Sequence, residues 1–375
     1  MFTRREFLKT TAALLSGAIF APLARPPATA AQSPITSYQL PTSTLQSQND
    51  FVTIRGDQFF LRGERFPIRG FNYYPRLHPW KTFNAGEWEP QTTERELKLG
   101  AALGANVVRI FVDWNYSLEN TKRQEPITNY YSPITAYVDN VRECVEIAGK
   151  LNLKVILTLL DSMDWSLYLP QNAWIVEEYL NAIVPPFVAD PRILCWDLQN
   201  EPDRAIRTVG NSAVIPFFRR VSLRVRELDP LHLQTIGMID RLPARYFPDW
   251  DAWLDFFCFH YYDKTERLNA LVQFYKTQTK KPMLLQEFGL PTGGPGRDGY
   301  YSEAEQTAHY QTVLKTLDEN KMCGSVFWCL VDFPIGLAGN PPIQEDSPEN
   351  HFGVFRLDYK EKPAAAVLRN YWQKS

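Results

Sequence analysis

Short apolar runs alternate with longer amphipathic segments along most of the chain, and this alternation most restricts how the chain can fold. Runs such as 107–112 (VVRIFV) and 154–160 (KVILTLL) are nearly all apolar. Such runs are typical of parallel strands buried on both faces of a sheet. Eight candidate strands begin near Ile68, Asn106, Lys154, Arg192, His232, Asp255, Pro282 and Cys323.

The segments between these strands have helical periodicity. They lie near 92–104, 133–152, 172–188, 212–228, 266–280, 302–320 and 360–374, and the interval between strands five and six is short. Eight strands with crossovers predict an α/β fold, a (β/α)8 TIM barrel. A doubly wound open sheet would share the apolar runs. It would usually have a glycine-rich turn after its first strand, however, and 70–74 (GFNYY) is no such turn.

The N-terminal part of the predicted domain contains two more strand-like runs, 51–54 and 59–61, separated by a Gly-Asp turn. They predict a β-hairpin that covers one end of the barrel. Residues 31–50 are rich in Ser, Thr, Gln and Pro and contain no Lys or Arg, which predicts a disordered linker. No internal repeat or second domain boundary is evident, so we expect one domain over 51–375.

Residues 1–30 predict an export signal. Residues 3–9 (TRREFLK) resemble the twin-arginine signal at all seven positions, and the apolar run 10–23 that follows is too short for a permanent membrane span. Small residues at 28–30 suit a signal peptidase. Because no cysteine precedes Cys144, a lipid-modified cysteine anchor is excluded. We expect a periplasmic or extracellular protein without a stable membrane anchor.

Charge and cysteine content exclude two further classes. Removing residues 1–30 leaves 36 basic against 41 acidic residues, and no basic stripe is visible, so nucleic acid is not an expected partner. The number of cysteines is odd and their spacings are not those of a disulfide framework, so buried free thiols are expected. The cysteines are Cys144, Cys195, Cys258, Cys323 and Cys329.

Polar and aromatic residues collect where the candidate strands end. In a (β/α)8 barrel these ends meet at one rim, where catalytic groups lie. Buried carboxylates without partners cost several kcal/mol, so their placement there indicates function. The strand ends are 72–74 (NYY), 113–115 (DWN), 161–165 (DSMDW), 199–202 (QNEP), 260–262 (HYY), 286–289 (QEFG) and Trp328.

Two glutamates, Glu201 and Glu287, end the fourth and seventh candidate strands. Strands three apart face each other across an eight-stranded barrel. Glycoside cleavage needs such a pair, one acid to protonate the leaving oxygen and one carboxylate for the opposite face of the sugar. At about 5–5.5 Å the second carboxylate can attack directly and configuration is retained. For either glutamate alone, a salt bridge at the rim is the alternative interpretation.

The motifs around the two glutamates resemble those of a known group of enzymes. Residues 196–202 (WDLQNEP) resemble the Asn-Glu-Pro signature of the clan A glycoside hydrolases, including family 5, and 285–289 (LQEFG) resembles their nucleophile strand. The resemblance extends from Phe59 essentially to the end of the chain. It implies that Glu201 is the acid/base and Glu287 the nucleophile of a retaining β-glycosidase.

The same resemblance assigns supporting residues. Asn200 would hydrogen-bond the sugar 2-hydroxyl, and Arg109 would hold the nucleophile ionised. His260 and Tyr262 match the His-x-Tyr of the clan, and Trp328 matches the tryptophan that floors the cleaved-sugar site. The alternatives are an interior ion pair for Arg109, a core histidine for His260 and simple packing for Trp328.

The expected chemistry agrees with these roles. A cation near Glu287 would keep it ionised, and a hydrogen bond from Tyr262 would orient it. Glu201, expected to have fewer partners, could stay protonated. Family 5 members usually have a histidine after the third strand, whereas 159–164 (LLDSMD) has none. Asp161 or Asp164 is expected to occupy that space.

The predicted function is therefore hydrolysis of a β-linked polysaccharide or oligosaccharide, with β-mannan or β-glucan favoured. A transglycosylase on the same scaffold and a non-catalytic carbohydrate-binding barrel are the alternatives. No residues with metal-ligand spacing stand out, and retaining hydrolysis needs neither metal nor cofactor. The expected partner is the glycan substrate, and the expected state is a monomer.

Overall fold

The computed structural model describes residues 50–113, 131–161, 165–239, 241–293 and 298–373. The export signal predicted for residues 1–30 and nearly all of the linker predicted for 31–50 lie outside these ranges, so both stay predictions. Within the described ranges, no helix has the length and apolar character required to cross a bilayer.

The barrel is built from parallel strands that begin within two residues of their predicted starts. The barrel strands are β4 (Ile68–Tyr73), β5 (Val107–Asp113), β6 (Lys154–Asp161), β7 (Ile193–Asn200), β8 (Leu233–Met238), β9 (Phe257–Tyr261), β10 (Met283–Phe288) and β11 (Gly324–Phe327). Three short strands precede them, β1 (Thr53–Arg55), β2 (Gln58–Leu61) and β3 (Glu64–Arg65). Strands β4 to β11 pair in chain order and close between β11 and β4. The predicted (β/α)8 barrel is confirmed.

Helices follow the barrel strands on the outside. They are α1 (Pro90–Ala102), α2 (Tyr131–Lys150), α3 (Ala173–Ile183), α4 (Asp203–Val209), α5 (Asn211–Leu228), α6 (Phe247–Asp251), α7 (Leu268–Gln278), α8 (Glu303–Glu319) and α9 (Pro363–Trp372). Short 3-10 turns occupy Trp165–Tyr168, Pro170–Asn172, Pro185–Phe187, Ala244–Tyr246, Thr265–Arg267 and Pro348–His351. In the described part of the short interval between β8 and β9, the helical elements are the five-residue α6 and one such turn.

Two helical segments differ from the sequence prediction. The helix expected over 172–188 ends at Ile183, because the prolines at 185 and 186 cannot donate backbone hydrogen bonds and a 3-10 turn replaces the last helical turn. Helix α4, directly after β7, was not predicted. It brings the side chain of Arg204 back over the end of β7, close to Glu201.

The predicted N-terminal hairpin is present and gains a third strand. Strands β1, β2 and β3 form an antiparallel sheet. Phe59 is 1% exposed and packs edge-on against Phe256, with ring centroids 4.9 Å apart. It belongs to the apolar cluster that includes Ile68, Val107 and Leu194 at the starts of barrel strands. The sheet therefore closes the N-terminal end of the barrel. Burial of a side chain such as that of Phe59 contributes about 1.5–3 kcal/mol to holding it there.

All five cysteines are buried free thiols. Burial raises the pKa of each of Cys144, Cys195, Cys258 and Cys323 above that of an ordinary thiol. Because the thiolate is the reactive form, these residues act as small apolar side chains in the core.

Candidate active site

The C-terminal ends of the barrel strands hold a charged network centred on Arg109. Its Nη1 lies 2.6 Å from Oε1 of Glu287, and its Nη2 lies 2.7 Å from Oδ2 of Asp197. All three side chains are fully buried. The side-chain oxygens of Asn72 and Asn200 accept from the same guanidinium at 3.0 and 2.9 Å. Arg109 thus serves as an interior ion pair and, at the same time, as the cation beside Glu287.

The charge of this network is set by opposing effects. Burial by itself would lower the pKa of Arg109, but the charges of Asp197 and Glu287 reverse this and raise it above its usual value. Burial raises the pKa of Asp197, and Arg109 opposes that shift. Arg109 is therefore a permanent cation, and its position favours the ionised form of Glu287.

Tyr262 fixes the second oxygen of Glu287. Its hydroxyl donates to Oε2 of Glu287 at 2.7 Å, as the sequence predicts. The two oxygens of Glu287 are then held from different sides by Arg109 and Tyr262, so the orientation of this carboxylate is set before any ligand binds. Such preorganisation is what a nucleophile requires.

His260 lies between the two glutamates rather than in an apolar core environment. Its Nδ1 is 3.0 Å from Oε1 of Glu201 and 3.5 Å from Oε2 of Glu287, and its Nε2 faces the side-chain oxygen of Gln286 at 3.3 Å. A Cβ at Gly237 would lie only 2.5 Å from Nε2 of His260. A glycine on β8 is therefore needed for the imidazole to reach this position.

Glu201 follows the last residue of β7 in a left-handed backbone conformation, with φ of 48°. Its N–H donates to the carbonyl oxygen of Gly237 at 3.0 Å. For a non-glycine residue this conformation costs about 1–2 kcal/mol. Such local strain is found preferentially where the direction of a side chain matters for function.

Glu201 was expected to be less paired than Glu287, but it has a cationic partner of its own. Besides His260, the Nη2 of Arg204 lies 2.8 Å from its Oε2. Helix α4 begins two residues after Glu201, so the i, i+3 spacing places Arg204 over the carboxylate. The sequence pattern predicts no helix here, and Arg204 is not among the predicted site residues.

The two glutamates are close to each other. One carboxylate oxygen of Glu201 lies within 4.8 Å of one carboxylate oxygen of Glu287, and a ring nitrogen of His260 lies within the same distance of each. In the described part of the chain this is the group of side chains with donor atoms spaced for a metal ion. Each carboxylate already contacts a guanidinium, however, and two such cations do not favour a metal.

Trp328 follows β11 and is 2% exposed. Its indole N–H donates to Oε1 of Glu349 at 3.0 Å, and its ring packs against Tyr74 and Trp80 with centroids 6.3 Å away. Its faces are covered in this conformation, so its role as a sugar platform stays a prediction. Trp328 belongs to an aromatic cluster at the rim with Tyr74, Phe111 and Phe333, and the partly buried rings of Trp80 and Tyr262 pack against it.

Asp161 ends β6 and is one of the two aspartates expected to occupy the space of the usual histidine. Its Oδ2 accepts from the hydroxyl of Tyr74 at 3.3 Å, and the residue is 7% exposed. Asp161 thus faces the aromatic cluster at the rim, whereas Asp164 lies outside the described residues.

Three residues of the site were missed from the sequence: Asp197, Arg204 and Glu349. Asp197 had a detectable signal, since a charged residue inside an otherwise apolar strand must have a buried partner. Arg204 required the assignment of α4. Glu349 lies in the long segment after β11, and no local pattern indicates that its carboxylate returns to Trp328.

A closed (β/α)8 barrel with paired carboxylates at the ends of its fourth and seventh strands defines a glycoside hydrolase. The comparison with protein families agrees. Residues 63–333 match the family described as Cellulase (glycosyl hydrolase family 5), which is most of the chain. The chain belongs to glycosyl hydrolase family 5.

Individual relatives are more distant. The chain is 26% identical over 183 residues to mannan endo-1,4-beta-mannosidase 3 of Arabidopsis thaliana, with 38% of this chain and 43% of that protein covered. It thus spans less than half the length of this curated relative. A family 5 mannosidase from Rhizomucor miehei has a similar structure, with a TM-score of 0.67 and 16% identity over 88% of this chain and 98% of the other.

The structural likeness extends beyond one family. A GH2 beta-galacturonidase from Eisenbergiella tayi has a TM-score of 0.62 and 16% identity, over 87% of this chain and 54% of the other. Likenesses at this level of identity establish the barrel fold and leave the sugar to be determined by experiment.

Proposed function

We propose that the protein is a retaining β-glycosidase that hydrolyses a β-linked glycan by double displacement. The observation that carries the proposal is the short distance between the two carboxylates: one oxygen of Glu201 lies at most 4.8 Å from one oxygen of Glu287. Retaining enzymes place their carboxyl groups about 5–5.5 Å apart, whereas inverting enzymes need about 6.5–9.5 Å to admit a water molecule. Direct attack by one carboxylate fits the shorter separation.

In the proposed first step Glu287 attacks the anomeric carbon, and Glu201 gives its proton to the leaving oxygen. A covalent glycosyl-enzyme forms as the glycosidic bond breaks. In the second step Glu201 takes a proton from water, whose oxygen attacks the anomeric carbon and releases Glu287. The fixed orientation of Glu287 and its ion pair with Arg109 support this assignment.

Asn200 is the proposed contact to the sugar 2-hydroxyl. Its side-chain oxygen accepts from Arg109 at 2.9 Å, so the orientation of the amide is fixed and its nitrogen is the group that can donate to a sugar oxygen. A hydrogen bond to the 2-hydroxyl strengthens in the oxocarbenium-like transition state, which makes the contact catalytic rather than only binding.

The proposed substrate is a β-mannan, with β-glucan as the alternative. The support is the relationship to a protein named as a mannan endo-1,4-beta-mannosidase and the likeness to a structure described as a family 5 mannosidase. Partly buried aromatic rings at the rim, such as Trp80, suit the stacking of pyranose rings.

A panel of β-1,4-linked manno-, gluco- and xylo-oligosaccharides of matched length tests this function. We expect the manno-series to be cleaved with kcat/KM roughly tenfold or more above the others, a typical discrimination for one pocket contact. Faster cleavage of the gluco-series would move the substrate to β-glucan. If the native protein cleaved none of the three but bound one of them, the carbohydrate-binding alternative would replace the proposed function.

A further inference from the structure

Arg204 forms an ion pair with Glu201 that the proposed mechanism does not require. The carboxylate of Glu201 is 1% exposed and the side chain of Arg204 is 40% exposed, with 2.8 Å between Nη2 and Oε2. The Nε of Arg204 is buried and has no hydrogen-bond partner within the described ranges. A buried donor without a partner needs an explanation. In the described part of the chain the Nε makes no structural hydrogen bond that would account for the position of this guanidinium, whereas its Nη2 contacts Glu201.

The ion pair acts against the state in which Glu201 has to begin. A general acid must be protonated in the free enzyme, and a neighbouring cation favours its ionised form. Other groups also face Glu201. Glu287 on β10, at most 4.8 Å away, favours the protonated form as a like charge, and His260 on β9 contacts both carboxylates. The effect of Arg204 on the protonation of Glu201 is therefore opposite to that of Glu287.

We propose that Arg204 is a positioning residue that acts through Glu201. It holds the acid/base carboxylate against His260 and determines the pH above which the enzyme loses activity. This inference rests on the proposed function, because it requires Glu201 to be the general acid. It gives the enzyme an activity range displaced towards lower pH than the glutamate pair alone would produce.

The test is the pH profile of kcat/KM for a cleaved oligosaccharide, whose poor leaving group needs the acid. In the free enzyme the basic limb of this profile reports ionisation of the general acid. Arg204→Gln should move the basic limb upward by roughly half a pH unit to one pH unit. This is at or below the lower end of the usual effect of an opposite charge, because Arg204 is partly exposed. Arg204→Lys should keep the limb near its native position.

Arg207→Gln is the matched control, since it removes the same charge from an exposed position on the same helix. Its limb should stay within roughly 0.2 pH unit of the native one, because exposed charges at a distance are screened.

The outcomes separate this inference from the proposed function. An unchanged limb in Arg204→Gln, or an equal shift in Arg204→Lys or Arg207→Gln, would overturn the role of Arg204 alone. If Glu201→Gln kept both full activity and the basic limb, Glu201 would not be the acid, and the proposed mechanism would fail together with the inference.

Discussion

Replacing Glu287 with alanine is expected to lower kcat/KM for a cleaved oligosaccharide by on the order of 10⁵-fold, as removal of the nucleophile does in other covalent enzymes. The alanine cannot form the glycosyl-enzyme, and Arg109 loses one of its two buried carboxylate partners. The measurement is steady-state kinetics on a variant whose folded state is verified by near-UV circular dichroism. Glu303→Ala is the control, because it removes an ion-paired glutamate on α8, and it should stay within about twofold of the native rate.

Added azide distinguishes the roles of the two glutamates. With an activated β-glycoside, Glu287→Ala should yield the α-glycosyl azide, since azide takes the place of the missing carboxylate and attacks opposite the leaving group. Glu201→Ala should lose about 10²–10⁴-fold on an oligosaccharide, the usual range for general acid catalysis. It should yield the β-glycosyl azide, formed from the glycosyl-enzyme. Exchanged configurations in the two variants would mean that the assigned roles are reversed.

Arg109→Leu should destabilise the fold by about 3–5 kcal/mol, because it leaves Asp197 and Glu287 as buried charges without their cation. Urea unfolding of the variant and the native protein measures the difference. The control is Arg192→Leu, which breaks a partly exposed pair with Asp190 and should cost less than about 1 kcal/mol. A similarly small loss for Arg109→Leu would show that the central network does not hold the barrel end together.

The stability lost in Arg109→Leu should depend on pH. Burial raises the pKa of Asp197, and Arg109 opposes that shift, so its loss raises the pKa further. A carboxyl group whose folded pKa lies above its unfolded value binds a proton on folding, which favours the folded state below that pKa and weakens it as pH rises. The stability gap between Arg109→Leu and the native protein should therefore narrow as pH falls from 7 toward 5.

Sequence periodicity was sufficient to predict the barrel, because each parallel strand is buried on both faces and is therefore a continuous apolar run. The positions of the glutamates at one rim could also be predicted, since the strand ends of a closed parallel barrel converge. Two contacts of Glu287 were predicted correctly, those with Arg109 and Tyr262. Their roles in catalysis stay predictions until variants are measured.

The missed features depend on chain reversals that have no periodic signal. Helix α4 is seven residues long, too short for a clear apolar repeat, and it alone brings Arg204 to Glu201. Glu349 reaches Trp328 from a 3-10 turn 21 residues later in the chain. Trp328 was predicted from its resemblance to the tryptophan on the last strand of the clan, but the burial of its ring depends on the packing of Trp80 and Phe333. No local pattern encodes such packing.

The central claim is that Glu201 and Glu287 carry out a double displacement, and the configuration of the first product tests it most directly. Proton nuclear magnetic resonance of the anomeric signals, recorded in the first minutes of cleavage of a β-linked oligosaccharide, identifies the anomer before mutarotation. We predict that the β-anomer appears first and that the α-anomer grows in only as the sugar equilibrates. An initial α-anomer would indicate a single displacement by water and would contradict the assignment of Glu287 as a nucleophile.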